Sequence, residues 1–430
     1  MLATSPAALS ALALAGDPPS WLAGARRAAL AQFAAGGLPT PALEEWKYTD
    51  VSRLGRRALV PATRADAERL GASELAASAW GGTRLVVIDG HLRADLSDLG
   101  RLPTGVRVGA LAADGTLTAV RVDASRGGFA ALNLALFGDG ILIDVTADCP
   151  NDALLHVVFM STAGEGLLRT PRLHIRVAAR ARARIAEEYV GTGGGLTNTV
   201  CECVLGAGAE LIHYRLQNEA ATASHIGQVM VEVDRDATYR AAVLAFGAAL
   251  SRVGIDIALV APGARCSLQG LFMATGDQHV DHHTRIDHTV GNTHSEERFR
   301  GILDERSRGV FNGKVVVARD AQGIGARQTS NNLLLSRGAE IDTKPELEIY
   351  AGDVQCSHGA TVGELDRDAL FYLRSRGIAQ AQARAILTYA FAQEIIADIP
   401  LEALRDWVER RLLGSRELAE LARTFRAAMP

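Results

Sequence analysis

Aromatic residues make up only 5% of this 430-residue chain, and its formal net charge is −4. A basic stripe interleaved with aromatics, the usual footprint of a nucleic-acid binder, is therefore not expected. Cysteine is equally sparse. Cys149, Cys201, Cys203, Cys266 and Cys356 are odd in number and widely spread, which is no disulfide framework and fits a reducing, cytoplasmic compartment. No C-x-x-C pair occurs, which argues against a zinc ribbon. No apolar run reaches ~18 uncharged residues, the length a membrane-spanning helix needs. The Ala/Leu-rich stretch from Met1 to Gly16 lacks the Lys/Arg of a signal peptide. The expectation is a soluble protein with neither a membrane nor a nucleic-acid partner.

Nucleotide and hydrolase signals are missing as well. Gly309-Val-Phe-Asn-Gly313-Lys314-Val315 has one residue too few between its glycines for a phosphate loop, and Val315 replaces the hydroxyl that meets Mg²⁺. Gly138-Asp-Gly140 lacks the third glycine of a dinucleotide loop, and Gly193-Gly194-Gly195 reads as a flexible turn. No G-x-S-x-G elbow is present. The chain is not expected to bind or split ATP by itself.

What is abundant is glycine, 43 residues, much of it in the middle of the chain. Three regions follow from periodicity. Residues 1–80 read as helical, with Leu22, Ala25, Ala29, Leu30 and Phe33 on one face of a helix that Gly36-Gly37 stops. Pro39 and Pro41 then force an extended turn, after which Trp46 and Tyr48 read as anchors against the body. Residues 81–362 carry short β-like runs without intervening 10–15-residue helices, which excludes a parallel α/β sheet. Within them a small residue and a polar one precede a β run at Ala183-Arg184-Ile185, Ala209-Glu210-Leu211, Ala237-Thr238-Tyr239 and Ala264-Arg265-Cys266, steps of 26, 28 and 27. Ala339-Glu340-Ile341 reads as a later copy, out of step. A near-constant period with two β runs per copy predicts the coils of a β-solenoid; a β-sandwich would need no even step.

Residues 363–430 switch to a period of 3.6. Asp366 or Asp368 caps a helix that Gly377 ends, and further helices are predicted over Ala379–Asp398, Leu401–Leu413 and Ser415–Ala428. Tyr389, Phe391, Ile395 and Ile396 crowd together on the long helix, which suits both core packing and a partner surface.

Two constellations carry possible chemistry. On a strand, His279, Asp281 and His283 share a face with His282 opposite. Imidazole and carboxylate suit a divalent metal, and they also pair well without one. Further on, Glu346 to Ile349 alternates as a half-buried strand does, Pro345 belongs at a strand start or edge, and Gly352-Asp353 breaks the run. A second strand then places Cys356 and His358 on one face. A neighbouring imidazole can help lower a thiol's pKa, and a neutral imidazole can ligate iron. The same pair also fits a packed small thiol and a hydrogen-bonded histidine.

Asp342-Thr-Lys-Pro-Glu-Leu-Glu-Ile-Tyr-Ala-Gly-Asp-Val-Gln-Cys-Ser-His-Gly-Ala-Thr-Val362, followed by Leu370-Phe-Tyr-Leu-Arg-Ser-Arg-Gly-Ile378, resembles the SufB/SufD family of iron–sulfur cluster assembly proteins. Arg308-Gly-Val-Phe-Asn-Gly313 and Asn331-Asn-Leu-Leu-Leu335 fit the same pattern, and Gly37-Leu-Pro-Thr-Pro with Glu45-Trp-Lys-Tyr-Thr49 looks like its SufD branch. The resemblance implies a mainly β chain, a right-handed parallel β-helix flanked by N- and C-terminal helical regions. It implies a non-catalytic scaffold subunit that pairs with SufB through the β-helix, and a C-terminal region, with Tyr389, Phe391, Ile395 and Ile396, that contacts the ATPase SufC. It places His358, with Cys356 beside it, at the SufB–SufD junction where a nascent iron–sulfur cluster forms. No cofactor is expected to be held firmly by the isolated chain, flavin is left open, and a homodimer is an option when SufB is absent. The rival reading is a metal-dependent enzyme of a β-rich fold using His279, Asp281 and His283.

Overall fold

The computed structural model describes residues 20–56, 59–69, 71, 80–113, 128–147, 149–164, 166–414 and 418. The expected helix over Ser415–Ala428 and the stretch from Met1 to Gly16 lie outside the described residues.

From residue 141 to 364 the chain winds into a β-solenoid whose successive strands alternate between two sheets. One sheet stacks β1 (Ile141–Val145), β3 (Arg172–Val177), β5 (Gly195–Leu205), β7 (Ala223–Val233), β9 (Leu250–Leu259), β11 (His279–His288), β13 (Arg308–Val317) and β15 (Glu340–Ile349). The other stacks β2 (Leu154–Ser161), β4 (Arg182–Gly191), β6 (Glu210–Gln217), β8 (Thr238–Ala245), β10 (Arg265–Ala274), β12 (His294–Leu303), β14 (Ile324–Leu334) and β16 (Val354–Glu364). All the ladders between these coils are parallel. The period read from the sequence is the pitch of these coils: Glu210 pairs with Arg182 and with Thr238, and Thr238 with Arg265.

The turn signals have a common cause. Arg180, Gly208, Asp236, Gly263, Asn292 and Gly323 all have positive φ, between 56° and 81°. They occupy the same corner of successive coils, and each amide donates to the corner of the next coil: Gly208 to Arg235, Asp236 to Pro262, Gly263 to Asn292, and Asn292 to Gln322. A left-handed corner favours Gly, Asn and Asp, which is why the repeat shows as a turn signal.

Two details differ from the sequence reading. Ala183 pairs with Leu211, so the first step is 28 residues rather than 26, and the shift of two keeps the same face. Glu340 lies on β15, in the other sheet from Glu210 and Arg265, so the stretch around it is no copy of that repeat.

Each sheet buries its inner face in the solenoid and part of its outer face under helices. α1 (Ser20–Gly36) packs with α2 (Gly128–Leu136), a short helix that the β-like reading of this region misses, over Leu142, Leu168, Leu196 and Ile226. At the other end α3 (Arg367–Ser375) begins on Asp366, whose side chain accepts from the amides of Asp368 and Ala369. α4 (Gln380–Ile396) and α5 (Glu402–Leu413) follow, and Gly414 closes α5 in the left-handed conformation. They lay Tyr389, Ala392, Ile395, Ile396, Leu404 and Val408 on Tyr214, Leu216, Leu244 and Leu271. Burying each large aliphatic side chain contributes about 1.5–3 kcal/mol.

Candidate functional site at the open end of the solenoid

Rung-to-rung pairing sets the geometry of the last coil. Tyr239, Cys266, Ser295, Ala326 and Cys356 follow one another along one column. Ala241, Leu268, Glu297, Gln328 and His358 form the next. Their earlier members are buried in the interior. Cys356 and His358 are therefore the last members of two interior columns. The spacing of two read from the sequence does put both on one face.

The described residues stack nothing on this coil. β15 and β16 are the terminal strands of their sheets, each hydrogen-bonded on one side only. Pro345 sits within β15 at this free edge, where a missing N–H is tolerated. His358 is exposed and Cys356 half-buried against Val354, Ala326 and Ile324. Around them Tyr350 is 60%, Val362 50%, Phe371 74% and Tyr372 58% exposed. Solenoids ordinarily close their ends with polar caps, and free, apolar strand edges invite pairing with another chain.

Burial pushes the Cys356 thiol up, with only a backbone hydrogen bond near Ala326 opposing it. The activating role that the sequence suggests for the neighbouring imidazole is thus not realised in the chain alone. An open groove of about 700 Å³ borders Cys356, and Arg240, Arg265 and Arg327 against Glu296 give it a positive balance.

The other expected sites have structural partners. Trp46 lies beneath Arg252, whose guanidinium carbon is 3.9 Å from the ring centroid, and Phe129 packs at 5.5 Å. Arg252 also donates to the Glu45 carbonyl at 2.7 Å. The segment from Glu44 to Thr49 is a strap across the first sheet, and Asp281 is its buckle. Arg252 and Thr49 both donate to the Asp281 carboxylate, and His283 Nδ1 lies 2.7 Å from it. His279 Nε2 lies 2.9 Å from the Thr49 hydroxyl. At His279, Asp281 and His283, where the sequence leaves a metal and plain pairing both open, the carboxylate pairs with a guanidinium. His282 does face the opposite way, between Phe272 and Phe299.

The expected SufC-facing residues also need correction. Tyr389, Ile395 and Ile396 are buried under α5 and against the second sheet, and Tyr389 donates to Glu409 at 2.8 Å. Phe391 is half-buried, with the Arg300 guanidinium 4.7 Å over its ring. The crowding seen in the sequence is intramolecular packing. Among the described residues of the C-terminal region, the exposed aromatics are Phe371 and Tyr372 on α3, which the stretch from Leu370 to Ile378 carries and the sequence reading passed over.

Comparison with known proteins agrees with this architecture. The profile of the family described as "SUF system FeS cluster assembly, SufBD core domain" matches residues 159–391. The iron–sulfur cluster assembly SufBD family protein slr0076 of Synechocystis is 32% identical over 389 residues, 86% of this chain and 85% of that protein. The iron–sulfur cluster assembly protein SufD of Escherichia coli is 31% identical over 403 residues, 89% of this chain and 90% of that protein. Protein ABCI7, chloroplastic, of Arabidopsis thaliana is 34% identical over 250 residues, 57% of this chain and 52% of that protein. A mainly β solenoid, flanked by helices and matched over its core by this profile, belongs to the SufBD family of iron–sulfur cluster assembly proteins.

Proposed function

We propose that this chain is a SufD-like, non-catalytic scaffold subunit that pairs through β15 and β16 with a SufB-like chain. A nascent iron–sulfur cluster, the cargo of the assembly, forms at that junction. The observation that carries this reading is the position of His358 and Cys356, at the ends of two interior columns on a coil with free edges. His358 is the exposed nitrogen ligand, and Cys356 becomes a thiolate ligand only when the partner or iron lowers its pKa. ATP hydrolysis belongs to a SufC-like ATPase docked on the C-terminal helical region, in line with the missing phosphate loop. Phe371 and Tyr372 are the surface it would meet. In the absence of a SufB-like chain, the same edges would pair two copies of this one. The five cysteines are all free, and no helix among the described residues is long and apolar enough to cross a membrane; both support a cytoplasmic setting.

The test is anaerobic purification of the three-chain complex with His358→Ala. The complex should still assemble by size-exclusion chromatography while its iron and cluster content falls. Unchanged iron and cluster yield in an intact complex would remove His358 from the site. The metal-enzyme reading lacks a donor group: among the described residues, ligand atoms from His279, Asp281 and His283, one each, do not all come within 4.8 Å of one another, and the Asp281 carboxylate accepts from Arg252 and Thr49.

A further inference from the structure

The second and third coils enclose another set of reactive side chains, five coils from the open end. Glu187 lies on β4, Cys201 and Cys203 on β5, and His213 and Arg215 on β6, and all five are buried. Ligand atoms of Glu187, Cys201 and His213 lie within 4.8 Å of one another. His213 Nε2 is 2.7 Å from Glu187 Oε1, and Arg215 Nη1 donates to Glu187 Oε2 at 2.8 Å. The Cys203 thiol is 3.8 Å from that of Cys201.

We propose that Glu187, Cys201 and His213, whose ligand atoms already cluster, are joined by Cys203 beside Cys201 in a buried four-donor site for a thiophilic divalent cation of the zinc class. Two thiolates bound at about 2.3 Å to a tetrahedral Zn²⁺ stand about 3.8 Å apart, which is the separation of Cys201 and Cys203. The nitrogen and carboxylate of a tetrahedral site stand about 3.3 Å apart. The His213–Glu187 contact, 2.7 Å in the chain, therefore opens by about 0.6 Å as the ion replaces the shared proton. Charge closes as well. Two thiolates, one carboxylate and the Arg215 guanidinium sum to −2, which a divalent ion neutralises inside the low-dielectric interior. The protons displaced from the thiols and imidazole leave to solvent. His213 Nδ1 lies 3.0 Å from the Tyr239 hydroxyl, the outer partner that fixes a ligating ring. A disulfide is the alternative use of two thiols, but a bond needs sulfurs at about 2.05 Å, and a straight parallel ladder on both sides holds β5 extended. All the donors lie between residues 187 and 213, so the ion can be captured as one coil closes.

The experiment uses the full chain in a Cys356→Ser background, which removes the half-exposed thiol as an adventitious ligand. The protein is refolded with Zn²⁺, desalted, and its zinc counted by mass spectrometry; zinc-edge X-ray absorption counts the sulfur neighbours. About one Zn²⁺ per chain with two sulfur neighbours is expected. Cys201→Ser or Cys203→Ser should cut zinc at least about fivefold, while Cys266→Ser leaves it unchanged. Less than about a tenth of an equivalent, or zinc without sulfur neighbours, overturns the site. The absorption measurement needs no variant, so a Cys201→Ser chain that misfolds does not spare the proposal.

Discussion

Gln328 and His358 are paired rung to rung on adjacent coils, and the Gln328 amide donates to Glu297 one coil deeper at 2.6 Å. The exposed imidazole at the open end thus stands at the head of a buried polar column. Glu297 is fully enclosed, and burial pushes its carboxyl up to about 7, against the hydrogen bond from Gln328.

That shift makes Glu297 a cost at neutral pH. An unfolded glutamate ionises near about 4.3, so between about 4.3 and 7 the folded chain binds the extra proton and stability falls as pH rises. The loss is on the order of 3 kcal/mol. Glu297→Gln is expected to raise the urea midpoint at pH 8 and to flatten its pH dependence over that interval. An unchanged midpoint at pH 8 would refute the assignment.

Asp281 has the opposite sign. Burial alone would raise its pKa, but Arg252 and His283 hold the carboxyl well below the usual carboxylate range. Its contribution is fully present above about pH 3.9, the unfolded value, and is lost only as the pH falls below that. Asp281→Asn leaves the buried Arg252 guanidinium without its counter-charge, at a cost of about 3–5 kcal/mol. Denaturant unfolding at pH 7 measures it, and released strap residues should become sensitive to proteolysis near Trp46.

The C-terminal helices separate a surface from a core. Phe371→Glu with Tyr372→Glu is expected to abolish co-purification with a SufC-like ATPase while shifting the melting temperature by less than about 2 °C. Ile395→Ala should instead destabilise the chain by about 2–5 kcal/mol. Retained capture by the double variant would move the docking surface elsewhere.

Gly270 leaves space for the neighbouring coil. A Cβ there would stand 2.0 Å from the Phe299 ring. Gly270→Ala is expected to cost about 1–3 kcal/mol. Adding Phe299→Leu should recover part of that, a coupling that a double-mutant cycle of thermal melts reads directly.

The coils were legible in the sequence because the left-handed corners favour Gly, Asn or Asp, as at Gly208, Asp236 and Gly263. The C-terminal helices were legible because Asp366, Gly377 and Gly414 mark their ends. What was not legible depends on contacts far apart in the chain. Nothing local says that Thr49 will meet Asp281, 232 residues away, or that Ile395 will be covered and Phe371 bare. The His279 to His283 run looked like a ligand set because a sequence shows acceptors without showing the arginine that takes them. Alternation placed Cys356 and His358 on a common face. That this face continues an interior column, rather than an outer surface, needed the ladder register.

Among the described residues nothing caps the last coil, which leaves that end open in the chain alone. Coils 1 to 7 each lie between two neighbours or under a helical cover, whereas β15 and β16 are held from one side. Such an edge frays first and shows backbone, Tyr350 and Val362 to proteases and chaperones until another chain covers it. Under the proposed pairing, the lone chain is the more protease-sensitive form, which limited proteolysis with and without the partner would read.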